Sequence, residues 1–404
     1  GFLLGSQADI RRTVIENGWV SSSTLMNDPY SELNNRTITG DLQIMPANDL
    51  RIDFNIMQNY SRNYVQGGYN VVDESTNYKA YRDAFGTELI THSNTAWSFN
   101  TAFKADGEIY KLIKENALAI SQQYEGIRDI DGFTAGYSKS NSYVLIPAFK
   151  AAIEGKSPKK IGNPTKAGIP LPNWKLVYSG LRNLPIINSQ FSKFDILHSY
   201  ISTYTMSGVQ ASVDYFNRDL RDPSTAYDSN GNRYNPYTFT QVGYVEAFSP
   251  LVGFDVTMRN NMQFRFNYNR DRTYLLGLVN TTLTEELGNE FVVGYGYILK
   301  DLKIRINYKG KGRDIKSDLN MRADLSMRDS KTTITNILID DSQVTGGQKI
   351  FSLKLSADYN MSQNLNLKFF YDQMMTKYKI STAYPLSTVR AGITATMTFG
   401  GTTN

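Results

Sequence analysis

Along the C-terminal half of the chain, apolar and polar residues alternate over long runs, the period-two pattern of strands with unlike faces. From Phe351, one face holds Phe351, Leu353, Leu355, Ala357, Tyr359 and Met361, and the other holds Ser352, Lys354, Ser356, Asp358 and Asn360. The same segregation sets Leu319, Met321, Ala323, Leu325 and Met327 against Asp318, Asn320, Arg322, Asp324 and Ser326, and it recurs from Val389 to Phe399. Runs of about ten residues exceed the globular mode of about five or six and approach the roughly 9 to 11 of a tilted membrane-crossing strand. The pattern therefore predicts an all-β chain forming the wall of a transmembrane antiparallel β-barrel, with a few short helices in its N-terminal part.

A short repeat sharpens this reading. Asn261 to Tyr268, Asp301 to Tyr308 and Asn364 to Tyr371 each begin with Asn or Asp, alternate apolar residues with others and end on Tyr; a looser copy from Asp49 through Ile56 lacks the Tyr. At roughly 3.4 Å per residue the apolar face of each copy spans about 20 Å, near the about 25 Å apolar band of a membrane barrel. The lipid-facing residues expected from it are Met262, Phe264, Phe266, Leu302, Ile304, Ile306, Leu353, Leu355, Leu365, Leu367 and Phe369. Tyr268, Tyr308 and Tyr371 are expected at the interface, where a ring has hydrocarbon below and water above. Arg265, Lys303, Arg305, Arg322, Asp324, Lys354 and Asp358 must then face a lumen. A Lys or Arg at the lipid midplane costs about 2 to 4 kcal/mol.

Tight turns are expected at 47–49, 259–261, 300–301 and 362–364, with another at 328–331. Longer polar connections are expected at 271–290, 309–317, 340–347 and 372–387. Short turns at one end and long loops at the other are the asymmetry of outer-membrane barrels. A soluble β-rich adhesin also alternates apolar and polar residues, with its apolar faces turned into a dry core. A smaller porin or TonB-dependent-type receptor would share the membrane fold.

The N-terminal part is less regular. Helices are expected at 8–17, 107–123 and 143–154, and strand-like pieces at 37–44, 50–56 and 95–103. An irregular Pro- and Lys-rich stretch follows at 155–172; strands resume at 174–178, 195–204 and 209–215, before a polar loop at 218–242. The organisation expected is an N-terminal helix and connector (1–36), first barrel strands (37–104), a helical and Pro/Lys-rich insertion (105–172), antiparallel strands (173–399) and a tail (400–404).

Composition narrows the function classes. With 404 residues and a mean hydropathy of −0.39, the chain has no run near the roughly 18 apolar residues of a spanning helix, which excludes a helix-bundle transporter. The absence of Cys excludes disulfides and thiolate metal sites, and two His, at 92 and 198, stand apart. A net charge of +5, with basic and acidic residues interleaved, gives no nucleic-acid stripe. No nucleophile elbow, metalloprotease helix, phosphate loop or dinucleotide fingerprint is present. Asp228 to Asn232 faintly resembles a calcium loop, but Phe239 stands where its Glu would be, and a hairpin tip at Asn230-Gly231 is the better reading. No catalytic group, metal or cofactor is expected. The chain opens at Gly1 without a signal segment, as a mature product or fragment would.

Several segments carry a family resemblance. Gly1-Phe2-Leu3-Leu4-Gly5-Ser6-Gln7, Asn17-Gly18-Trp19, Asp49-Leu50-Arg51-Ile52-Asp53 and Tyr60-Ser61-Arg62-Asn63-Tyr64 are among them. Val144 to Phe149, Ile169 to Trp174, Phe248-Ser249-Pro250-Leu251, Lys316 to Asn320 and Gly347-Gln348-Lys349 follow in order. Together they resemble the C-terminal region of the SprA/Sov family, the translocon of the type 9 secretion system in Bacteroidetes. The resemblance implies a portion of a very large bacterial outer-membrane barrel that passes folded cargo bearing a type 9 C-terminal signal to the cell surface. It also implies partners: the remaining upstream strands of the barrel, outer-membrane lipid, a plug subunit and a shuttle barrel. Many outer-membrane barrels end on an aromatic residue, whereas Phe399 here is followed by five more residues.

Overall fold

The computed structural model describes residues 10, 13, 16–19, 29–66, 69–73, 78–81, 86–158, 168–217, 226–308, 311–362, 364–380 and 382–398, with main chain only at 69–73, 78–81, 306–308, 311–313 and 362. Most of the expected helix at 8–17, and residues 159–167, 218–225 and 399–404, lie outside the described residues.

The chain folds as an all-β antiparallel sheet of 13 strands, with a separate two-stranded ribbon. In chain order the strands are β1 (Tyr30–Ala47), β2 (Leu50–Gln66), β3 (Tyr69–Asp73), β4 (Tyr78–Tyr81) and β5 (Thr87–Thr95). β6 (Asn173–Tyr178), β7 (Phe191–Ala211), β8 (Tyr237–Thr238), β9 (Gln241–Met258) and β10 (Met262–Gly277) follow. β11 (Thr282–Tyr308), β12 (Lys311–Asn336), β13 (Asp341–Ser362), β14 (Leu365–Tyr378) and β15 (Leu386–Met397) complete the set. The path runs β1-β2-β5-β7-β9 and then through β10 to β15 in sequence order, while β3 and β4 form the ribbon. Each end of the path, β1 and β15, pairs on one side only among the described residues.

β5 and β6 together make one composite strand between β2 and β7. Gln58 of β2 pairs with Asn94 of β5, and Asn55 pairs with Asn173 of β6. The chain leaves the sheet in mid-strand and returns to the same slot after a helical module. That module contains α1 (Phe99–Ala102), α2 (Glu108–Ser121) and α3 (Ser142–Glu154). α2 buries Ile109, Ile113, Ala117 and Ile120, an i, i+4, i+8, i+11 stripe. α3 is capped by Asn141, whose side chain accepts from the Tyr143 amide at 2.8 Å, and ends on Gly155 at φ +65°. Its residues Val144 to Phe149 are all buried. A helix that is apolar on all sides must be covered on all sides. Here α2 and α1 cover one side and the sheet covers the other, through Tyr204, Met206, Val242, Tyr244, Tyr274, Leu276 and Leu283.

Several expected boundaries change. The stretch at 95–103 is a strand only to Thr95; Phe99–Ala102 is helical, because the chain has already left the ladder. The pieces at 195–204 and 209–215 are one strand ending at Ala211, followed by a short helix, Val213–Asn217. The first strand starts at Tyr30, inside the segment expected as connector.

The expected turns at 300–301 and 328–331 do not exist. β11 runs straight through Lys300 and Asp301, where the register slips between Leu299 and Leu302 and Asp301 takes φ +58°. Asp tolerates this left-handed conformation, which serves a bulge as well as a turn. Arg328 to Lys331 lie in mid-β12, paired on both sides. Likewise 271–290 is mostly strand around a turn at 278–281, and 340–347 belongs almost wholly to β13. Strand ends carry polar residues on both faces yet stay in the ladder, so alternation alone reads them as loop. The connections at 67–86 and 212–240 follow the ends of β2 and β7, at the edge of the sheet opposite the turns at 48–49 and 259–261.

Candidate functional site

Directly paired residues of an antiparallel ladder share a face, and successive residues alternate between faces. Tracing the register across the sheet yields two rows, one residue apart, on opposite faces. The first is Phe194, Val256, Phe264, Tyr295, Ala323, Leu355, Tyr371 and Ala391, apolar on every strand from β7 to β15. The second is Asp195, Asp255, Arg265, Gly294, Asp324, Lys354, Asp372 and Arg390. Charge of both signs thus runs across the same eight strands, interrupted only at Gly294.

The apolar face extends above and below its row. On β12 it covers Leu319 to Met327, roughly 27 Å along the strand at about 3.4 Å per residue. Met262, Phe264 and Phe266 on β10, Leu353 and Leu355 on β13, and Leu365, Leu367 and Phe369 on β14 all stand on this face. Phe264, Leu355 and Phe369 are exposed there.

Leu302 and Ile304 share the face but lie beyond the Leu299–Leu319 pair, where only β11 and β12 continue. They belong to a projecting hairpin and not to the expected band, because the chain does not turn at Lys300. Ile306 and Tyr308 continue that hairpin, paired with Arg313 and Lys311; their side chains lie outside the described residues.

Of the repeat's tyrosines, Tyr308 is the last residue of β11, but Tyr268 and Tyr371 lie well inside β10 and β14. Tyr268 stacks on Phe291 at 4.7 Å, and the next residues of its face are Arg270 on β10 and Asn289 on β11. Tyr371 lies farther from the corresponding charged level, within the row of Leu355, and donates to Gln373 at 3.1 Å.

The polar face is held by cross-strand contacts. Arg328 grips Asp271 with two hydrogen bonds of 2.8 and 2.9 Å, passing over Gly288 of the strand between them. A Cβ on Gly288 would lie 2.3 Å from the Asp271 carboxylate, so glycine is required for this grip. Lys193 bridges Asp255 at 2.8 Å and Asp195 at 3.3 Å, and Arg390 meets Asp372 at 3.2 Å. Gly294 and Gly296 leave a hollow of about 210 Å³ flanked by Arg265, Arg322, Asp255 and Asp324. Lys303 and Arg305 carry the polar face into the projecting hairpin, where Arg305 reaches Asp314 at 3.9 Å. Asp358 pairs in register with Asn320 and Lys368.

Sequence reading identified Arg265, Asp324 and Lys354 but not Asp195, Asp255, Asp372 or Arg390. Only the register reveals that these residues form one row. Its energetic role is testable. Lys354→Asp would set three carboxylates side by side across β12, β13 and β14. Each like-charged neighbour costs about 0.2 to 1 kcal/mol. The variant should melt below Lys354→Gln, and added salt should recover part of the difference. Equal melting of the two variants would show that the row carries no electrostatic weight.

Above the apolar band, the same face meets the helical module through polar groups. Glu246 accepts hydrogen bonds from Ser98 at 2.7 Å, Tyr200 at 3.1 Å and Thr101 at 3.2 Å. Tyr244 donates to Glu154 at 2.5 Å, and Lys331 pairs with Asp106. His92, which packs on Tyr204 at 5.6 Å, is an internal residue whose burial, aided by Lys150, lowers its pKa to about 4. His198 holds the Leu251 carbonyl at 2.7 Å. The Asp228 carboxylate accepts from the amides of Asn230 and Asn232, closing the expected hairpin tip.

Glu285 lies under the start of α2. Burial, with Asp106 beside it, pushes its carboxyl up to about 7, against the opposing pull of the Gly107 amide, Lys331 and Arg272. The folded value exceeds the ordinary 4.5, so the folded state holds a proton that the unfolded state has released. Stability contributed by this site is therefore full below pH about 4.5 and falls as pH rises through about 7. Relative to the intrinsic base-catalysed rate, hydrogen exchange at the first turn of α2 should lose protection over that window, and Glu285→Gln should abolish that loss.

No protein-family model matches the chain, and no curated protein matches it. Among solved structures, it is similar to OmpT, an outer membrane protein of Vibrio cholerae folded in vitro and in trimer form. The likeness covers 91% of this chain and 99% of that chain, at 9% identity and a TM-score of 0.23.

Proposed function

We propose that this chain forms part of the wall of a bacterial outer-membrane barrel that conducts folded proteins to the cell surface, the translocon of type 9 secretion. The observation that carries the membrane reading is the pairing of the two rows. An apolar face continuous over eight strands is stable against acyl chains, and the ionic row behind it then lines water. The single-sided pairing of β1 and β15 supports a wall continued by further strands, since an unpaired strand edge in lipid leaves main-chain groups without partners. Protein cargo and type 9 secretion rest on the resemblance to the SprA/Sov family. The plug subunit and shuttle barrel named with that family are partners proposed on the same ground.

Photo-crosslinkers at Lys354 and Leu353 test the proposal in secreting cells. Lys354 should capture passing cargo that bears the type 9 signal, and Leu353 should capture lipid. A small-solute conductance with no cargo adduct at Lys354 would replace the translocon by a porin or receptor. Capture of this chain's own residues from Leu353, with no lipid, would replace both by a soluble β-rich adhesin.

A further inference from the structure

At the upper margin of the apolar face, two adjacent levels of the ladder differ sharply in character. One level holds Phe291, Met327, Phe351 and Met375; the next holds Asn289, Asp329, Lys349 and Lys377. A groove of about 430 Å³ opens on this face along both levels and is walled on the β15 side by Pro385 and Leu386. Its floor is exposed apolar surface: Met327 is 55% accessible and Met375 47%.

The charge above the floor is unbalanced. Asp329 is approached by Lys349 at 3.3 Å and by Lys379 at 2.5 Å, and Lys377 has no ion-pair partner among the described residues. Two ammonium groups thus share the Asp329 carboxylate and a third, on Lys377, stands beside Lys349 in register without one, above four large apolar side chains.

We propose that this groove binds a phosphate-bearing membrane lipid, with an acyl chain along the apolar floor and the headgroup phosphate on Lys349, Lys377 and Lys379. The inference rests on the membrane reading given above, because only there does this margin meet headgroups. The chemistry is selective in both parts. An acyl chain without a phosphate leaves the lysines in excess over Asp329, and a phosphate without a chain leaves the floor wet. The opposite face offers no such pairing, since its cations alternate with carboxylates at nearly every strand.

Native mass spectrometry of the delipidated, detergent-solubilised assembly tests this with three probes: phosphatidylglycerol, an uncharged diacylglycerol and glycerol phosphate. Phosphatidylglycerol should form the persistent adduct. The combined variant K349Q/K377Q/K379Q should lose it at least about fivefold, whereas K368Q, on the opposite face, should retain it. Equal retention by the triple variant overturns the proposal, as does adduct formation by diacylglycerol to the same extent. Equal retention of glycerol phosphate would mark a free-anion site and would also overturn it. A fluorophore at Leu355 in vesicles of brominated lipid separates the two layers of argument. If it is quenched while the triple variant keeps its lipid, this inference alone fails. If it is not quenched, the membrane reading fails first.

Discussion

Phe149→Ala is expected to loosen the helical module from the sheet by about 3 to 5 kcal/mol. Phe149 is fully buried in α3, and its ring lies 5.8 Å from that of Tyr244 on β9. Removing it opens a void between helix and sheet that neither side can close, because Ile146, Ile153 and Met206 around it are already packed without accessible surface. Hydrogen exchange should report the loss in the amides of α2 and α3, while those of β14 and β15, on the far side of the sheet from the module, keep their protection. Uniform loss of protection across the sheet would mean that module and wall unfold as one unit.

Leu355→Arg is expected to destabilise the membrane-inserted protein by about 2 to 4 kcal/mol, and Ser356→Arg by less than about 1 kcal/mol. The two residues are neighbours in β13 and point to opposite faces, so local strand propensity cancels from the comparison. Leu355 lies in the apolar row, and Ser356 pairs with Arg322 and Phe370 on the polar face. Refolding equilibria in lipid vesicles give both values directly. If Ser356→Arg cost as much as Leu355→Arg, the polar face would have to be as dry as the apolar one, and no conduit could run along it.

Much of this arrangement is legible in the sequence, for a physical reason. A sheet with unlike solvents on its two faces must alternate residue by residue, and the runs at 319–327 and 351–361 do so without a break. The helices α2 and α3 are similarly visible from their spacing, within one or two residues at each end. What the sequence hides is whatever depends on registration between strands. Asp301 and the residues from Arg328 to Lys331 look like turns because polar residues gather there, yet main-chain pairing continues through both. The repeat's Tyr residues look equivalent, but β11 runs opposite to β10 and β14, so the second copy points away from the band. The charged row is invisible for the same reason: Asp195 and Arg390 belong to one line only after every intervening strand is aligned.

The composite strand formed by β5 and β6 imposes an order on assembly. Sheet growth from β2 can proceed by local hairpin pairing with β5, but the remaining half of β2 waits for residues that arrive only after the whole helical module has been made. Until then β2 offers a bare, partly apolar rim, the kind of template that recruits foreign strands. Prompt burial of α3 shortens that waiting time, so the module acts as a clasp whose closure brings the late half-strand home before another chain can take its place.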